Sequence, residues 1–118
     1  MATKTKNRNE IFDDKTTKQI ASELQPVLSD LIALGLIVKQ AHWNVTGSSF
    51  RAVHLQLDEI WATVQTNVDE VAERLSTLAV SPAGQANEVA ASSKVDQIPA
   101  GFMDASKVVD FMTERVGQ

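Results

Sequence analysis

Cysteine is absent from the 118-residue chain. Without a thiol there is no disulfide, no thiolate metal site and no cysteine nucleophile, so any metal has to bind through nitrogen and oxygen. Basic residues are in deficit, 11 Lys and Arg against 15 Asp and Glu, which argues against a generally basic nucleic-acid surface. No apolar run approaches the ~20 residues of a membrane-spanning helix, and the opening MATKTKNRNE lacks the apolar centre of a signal peptide. Both features lead us to expect a cytoplasmic protein with no membrane partner. The chain contains no GxSxG, no Gly-rich phosphate loop and no HExxH, so the marks of serine nucleophilic catalysis, phosphate cradling and zinc-protease chemistry are missing.

What positive charge there is collects at the start. Lys4, Lys6 and Arg8 stand among nine residues without an acid, and residues 1–13 read as a flexible basic tail. Such a tail can be merely solvated, or it can contact phosphates electrostatically with little sequence preference. The rest, residues 14–118, is long enough for one domain with a modest core.

Three segments read as helices and none as a strand, which predicts an all-α fold. The first spans about Asp14 to Gln40, with Ile20, Leu24, Val27, Leu28, Leu31, Leu34 and Val38 in the three-and-four rhythm of an amphipathic helix. Pro26 either kinks this helix or marks its true beginning. Gly35 is a second soft point unless close packing requires it. A turn at Asn44–Ser49 relies on Gly47, with Ser48 or Ser49 suited to cap the next helix. That second helix, about Ser49 to Val80, carries one apolar stripe of Val53, Leu57, Ile60, Val64, Val68, Val71, Leu75 and Leu78, and Ser81-Pro82-Ala83-Gly84 ends it. Residues 81–103 form a long connection with room for a short helix near Glu88–Ala91. Asp104 then looks like the N-cap of a last helix with Val108, Val109, Phe111, Met112 and Val116 as its apolar positions. Two long helices and a short one make a helical bundle that is incomplete within one chain.

The chain's two histidines flank the turn, twelve residues apart by number, at His42 and His54. On a helical wheel with His54 at zero, Asp58 falls near 40°, Asp69 near 60° and Glu73 near 100°, while the apolar stripe occupies about 240–320°. The acids therefore form a face of their own, with Trp61 between the two faces. His54–Asp58 and Asp69–Glu73 are each one turn apart and can each clasp a cation. They cannot clasp the same one, because eleven residues separate Asp58 from Asp69, roughly 16 Å of helix. A twofold axis across the helix would set two copies antiparallel and bring the His54–Asp58 end of one opposite the Asp69–Glu73 end of the other, giving two identical sites. His42 can close over the same end. Two imidazoles and three carboxylates suit a divalent first-row metal such as iron, manganese or zinc better than calcium or magnesium. The plainer alternative is a surface His–Asp contact worth a few tenths of a kcal/mol, with Asp69 and Glu73 on a solvated face. Trp43 and Trp61 read as packing residues that can also donate electrons to a nearby redox metal.

The runs KQAHWNVTGSSFRAVHLQLDEIW and DEVAERLSTLAVSP resemble the Dps family, the DNA-protection-during-starvation proteins or mini-ferritins, over roughly Leu24 to Val116. The resemblance implies a ferritin-like four-helix bundle and a hollow shell of twelve subunits. It implies a ferroxidase centre at the twofold interface, with His42, His54 and Asp58 from one chain and Asp69 and Glu73 from the partner. It further implies Fe(II) oxidation, with hydrogen peroxide preferred as oxidant, ferric oxide storage, Trp43 and Trp61 as redox-active neighbours, and a Lys/Arg tail (here Lys4, Lys6 and Arg8) that in some members binds DNA. Relative to that pattern the third helix stops short at Gln118 and the fourth is absent. A DNA-binding structural protein with a vestigial metal site, or an inactive helical fragment, are the other readings.

Overall fold

A computed structural model describes residues 13–116 of the chain, the side chain of Val116 excepted. Helix α1 runs Asp14–Asn44, strand β1 Val45–Thr46, helix α2 Phe50–Thr77, helix α3 Ala86–Ser92, strand β2 Met103–Asp104 and helix α4 Ala105–Val116. Lys4, Lys6 and Arg8, and with them residues 1–12 of the expected basic tail, lie outside the described residues, as does the side chain of Val116.

Helix α1 begins where Asp13 accepts a hydrogen bond from the Thr16 amide at 2.8 Å, the usual way to satisfy an orphan donor of a first turn. It continues through Pro26, so the proline does not mark its beginning and one backbone bond is lost there instead. By length and composition alone α1 is apolar enough to cross a membrane, contrary to the reading that no such stretch exists. It uses that apolarity as a core helix: Leu28, Ala33, Ile37, Val38 and Ala41 are buried. Gly35 lies against Val64 and Gln65 of α2, the close packing that justifies a glycine there.

The stripe of α2 faces inward as expected, with Leu57, Val64, Leu75 and Leu78 buried and Val53, Ile60, Val68 and Val71 half-buried. Ser49 takes the N-cap position but makes no side-chain cap bond. The helix ends three residues before the expected Val80, and the Ser-Pro-Ala-Gly run is not what stops it. Ala79 adopts φ 64°, and the amides of Ala79 and Val80 donate back to the carbonyls of Ser76 and Leu75 at 2.9 and 3.0 Å. This is a Schellman ending with alanine where glycine is usual.

Two short strands correct the expectation that no segment forms a strand, while the fold stays all-α. β1 and β2 pair in parallel, Val45 beside Met103 and Thr46 beside Asp104, tying the end of α1 to the start of α4. At two residues each they are too short to leave a period in the sequence. Gly47, at φ 103°, turns the chain beside this ladder, and a Cβ there would run into the Asp104 carboxylate. Asp104 caps α4 as expected, its carboxylate accepting from the Ser106 amide at 3.0 Å.

The long connection is strapped along α1. The Gln25 side chain donates to the Ala83 carbonyl at 2.8 Å and accepts from the Ala83 amide at 3.0 Å. The Lys94 amide donates to Asp30 at 2.9 Å, and α3 buries Val89. Residues Ile37, Val38, Ala41, Val45, Leu57, Ala105, Val108 and Met112 make one core cluster. Beside it, α2 and α4 leave an apolar groove of about 420 Å³ lined by Val53, Leu57, Ile60, Val108, Val109 and Met112. Val109 and Val27, both expected in the core, are 48% and 46% exposed, because no described element covers the groove beside α4 or the one beside Val27.

Candidate metal centre

The turn after α1 sends the chain back on itself, and the two histidines meet across it. Their rings stack with centroids 3.7 Å apart and planes 17° from parallel. His42 Nδ1 lies 2.7 Å from the His54 carbonyl oxygen, and His54 Nδ1 lies 2.9 Å from the His42 carbonyl oxygen. A carbonyl can only accept, so each ring carries a hydrogen on Nδ1 and donates it. In the neutral imidazole this leaves the lone pair on Nε2, the arrangement that a second hydrogen bond imposes on a metal-binding histidine. Phe50, one turn before His54, extends the stack with centroids 4.9 Å apart.

Asp58 lies one turn further along α2, near both imidazoles. Its carboxylate is nevertheless turned to α1, where Lys39 Nζ donates to Oδ1 at 2.7 Å. That hydrogen bond is the largest of the influences holding the Asp58 carboxyl below its ordinary value of 3.8. Lys39 Nζ also sits 4.5 Å from the ring centroid of Trp61. Neither Lys39 nor Phe50 stood out in the sequence, although each is within one helical turn of a histidine, Lys39 three before His42 and Phe50 four before His54.

The remaining acids stand apart. Asp69 and Glu73 are exposed on α2, roughly 16 Å of helix beyond Asp58. Among the described residues of one chain no three His, Asp or Glu side chains converge as a metal-ready cluster. The structure thus brings His42 and His54 together, leaves Asp58 beside them on a lysine, and does not bring Asp69 and Glu73 to the same place within one chain. Trp61 is half-buried under Lys39, whereas Trp43 is 66% exposed, so of the core and interface places open to a tryptophan it does not take the core.

Large apolar side chains are exposed on both helices of this hairpin. Leu36 and Trp43 are 64% and 66% exposed on α1, and Leu55 is 47% exposed on α2. On the wheel Leu55 falls near 100°, on the face of the acids and not on the buried stripe.

Comparison with known proteins fits this geometry. The family model for the ferritin-like domain matches residues 21–116. The DNA protection during starvation protein 2 of Deinococcus radiodurans is 38% identical over 104 residues, covering 86% of this chain and 43% of that protein. A C-terminal deletion mutant of Mycobacterium smegmatis Dps superposes with a TM-score of 0.74 at 32% identity, over 80% of this chain and 68% of that one. A Dps protein from Vibrio cholerae O1, described as a member of a broad superfamily of ferritin-like diiron-carboxylate proteins, shares the fold with a TM-score of 0.87 at 21% identity, over 98% of this chain and 72% of that one. The chain spans about half the length of the curated relatives it matches. An all-α, ferritin-like bundle with this sequence likeness makes the chain a member of the Dps mini-ferritins.

Proposed function

We propose that the chain is an iron-oxidising and iron-storing subunit of the Dps type, whose substrate Fe(II) is oxidised at a site shared between two copies. The observation that carries this reading is the reciprocal histidine pair, in which both Nδ1 atoms are committed to backbone carbonyls and Nε2 is left as the basic nitrogen of each ring. His42, His54 and Asp58 would serve from one chain, and Asp69 and Glu73 from a twofold partner lying antiparallel along α2. Exposed Leu36, Trp43 and Leu55 give that partner an apolar surface to cover. This donor set of imidazole and carboxylate suits Fe(II), with manganese or zinc able to take the same places.

Two Fe(II) ions each give one electron to hydrogen peroxide, whose O–O bond breaks; with two protons the products are two Fe(III) and two waters. A site that holds two ions together delivers both electrons at once, so no hydroxyl radical is released. That chemistry would protect nearby DNA without touching it. Trp61 and Trp43 would be the residues to take up a stray oxidising equivalent. The assembly into a twelve-subunit shell, DNA contact through Lys4, Lys6 and Arg8, and a cytoplasmic location belong to the same proposal.

Mixing two inactive variants tests the shared site. Asp58→Ala and Glu73→Ala should each slow peroxide-driven iron oxidation without unfolding the chain. When the two are unfolded together and refolded, half the dimers are mixed and one of the two sites in each is intact, so about a quarter of the parent rate returns. A single-chain site regains nothing on mixing, and full parental rates in either variant alone would remove that residue from the site. Retention of DNA by a full chain that oxidises no iron, lost on deleting residues 1–9, would instead favour the DNA-binding structural reading.

A further inference from the structure

Arg115, in the last turn of α4, has the one buried side-chain nitrogen or oxygen without a hydrogen-bond partner among the described residues, its Nε. The side chain is only 11% exposed, and burying a charged donor without an acceptor is costly. The guanidinium lies 3.9 Å from the centre of the Phe111 ring, which holds its plane by one face and leaves the edges available. Nη1 donates to Glu114 at 3.1 Å. Nη2 lies 3.9 Å from the Asp96 carboxylate, too long for a hydrogen bond. Nε and Nη2 share one edge of the guanidinium, the fork that takes a carboxylate through two parallel bonds.

Arg115 lines the groove beside Val27, which has a volume of about 450 Å³, within the range of small-molecule sites. Val27, Leu31, Leu34 and Val95 are its apolar walls, and Asp30 and Lys94 its other charged residues. Asp30 is the only acid in the lining, and it already accepts from the Lys94 amide at 2.9 Å. Two cations against one acid leave the lining net positive. Asp96 and Glu114, which face Arg115 from outside the groove, are largely exposed, so water screens their charge. We propose that this groove binds a short aliphatic monocarboxylate, its two oxygens on Nε and Nη2 of Arg115 and its chain against Val27, Leu31, Leu34 and Val95. The site is separate from the histidine pair, since Leu34 precedes His42 by eight residues, roughly 12 Å of helix. It is complete within one chain and draws on none of the residues assigned to iron.

The test is a titration of the purified full chain with hexanoate, followed by calorimetry and by the nuclear magnetic resonance signal of the Arg115 Nε–H. Binding should saturate at one hexanoate per chain and move that proton downfield as it enters a charge-assisted bond. Hexanol keeps the tail without the charge and acetate keeps the head without the tail; each should bind at least about tenfold more weakly than hexanoate. Arg115→Met should weaken hexanoate binding by at least about tenfold, the scale of one hydrogen bond to a charged group. Val27→Glu places a carboxylate in the groove at a position already 46% exposed, where a charged side chain is tolerated. It should abolish binding with an unchanged far-ultraviolet spectrum, so the test stands even if Arg115→Met does not fold. Failure of hexanoate to saturate the parent overturns the proposal. So does equal affinity for hexanol and hexanoate, an Arg115 Nε–H signal that stays put at saturation, or undiminished binding in Arg115→Met or Val27→Glu.

Discussion

His54→Phe isolates what the reciprocal histidine bonds contribute to stability. Phenylalanine keeps a flat ring between Phe50 and His42, so the stack with centroids at 4.9 and 3.7 Å survives in outline. What it removes is the Nδ1–H that donates to the His42 carbonyl at 2.9 Å. That carbonyl belongs to the last turn of α1, where no further helical amide is available to take it. A net hydrogen bond contributes about 0.5–1.5 kcal/mol, and a fully buried orphan costs more. His54 is half-buried, so water reaches part of the stranded carbonyl and the loss should fall near 1 kcal/mol. For a domain of about 100 residues this lowers the melting temperature by roughly 4–8 °C. Thermal melts monitored by far-ultraviolet circular dichroism, with urea titration of the same samples, measure it. His42→Phe removes the opposite bond, at 2.7 Å, and should cost a similar amount. If His54→Phe melts within about 1 °C of the parent, the reciprocal bonds do not hold the turn, and the argument that they fix which nitrogen is basic loses its footing.

Local geometry sets two further outcomes. Ala79 holds a left-handed backbone at φ 64° on an exposed position, a conformation that costs an L-residue about 1–2 kcal/mol. Ala79→Gly should therefore raise stability by up to about 1 kcal/mol after the added freedom of the unfolded chain is subtracted, read as a higher urea midpoint at unchanged slope; a lower midpoint would mean that the Schellman ending is not under strain. The second outcome concerns Asp104, whose carboxyl is held below its ordinary value of 3.8 chiefly by the Ser106 hydroxyl and then by the Ser106 amide. A carboxyl depressed in the folded state contributes stability that is present above its unfolded value and lost as pH falls through the folded one. Ser106→Ala should move the Asp104 carboxyl carbon titration upward and flatten the loss of stability below pH 3.8; an unmoved titration would remove the hydroxyl as the cause.

Much of this was legible in the sequence because it was periodic. The eight stripe residues of α2 recur every three or four positions, and their burial needs only one apolar face. His42 and His54 were legible as a pair because a turn rich in Asn, Gly and Ser lay between them. Other features had no repeating signal. The Schellman ending at Ala79 carries no glycine, so Pro82 and Gly84 are the stop signals that the sequence displays. The β1–β2 ladder joins segments whose paired residues, such as Thr46 and Asp104, are far apart in the chain. Lys39 is a lysine on the polar side of an amphipathic helix, and only the crossing of α1 and α2 sets it against Asp58 and Trp61. Spacing along one helix shows which acids share a face; it does not show which of them already has a cation.

The groove toward α4 and the face of the acids lie on different sides of α2, and that separation bears on what the candidate centre requires. Val53, Leu57 and Ile60, which line the groove toward α4, lie on average roughly 140° around the helix from His54, Asp58, Asp69 and Glu73. Whatever fills the groove therefore buries apolar area without contacting the acids. The acids need something else, namely a second α2 running the opposite way close enough for Asp69 and Glu73 to reach His54 and Asp58. Ala62 and Thr66, both exposed, lie on that face near 80° and 120° and midway between the two acid pairs. They are small enough to let another helix approach. A dimer across this face would complete both sites with the groove still open, whereas a filled groove on a lone chain would complete neither. On the proposed reading the centre therefore depends on the twofold contact, and not on whatever covers the groove.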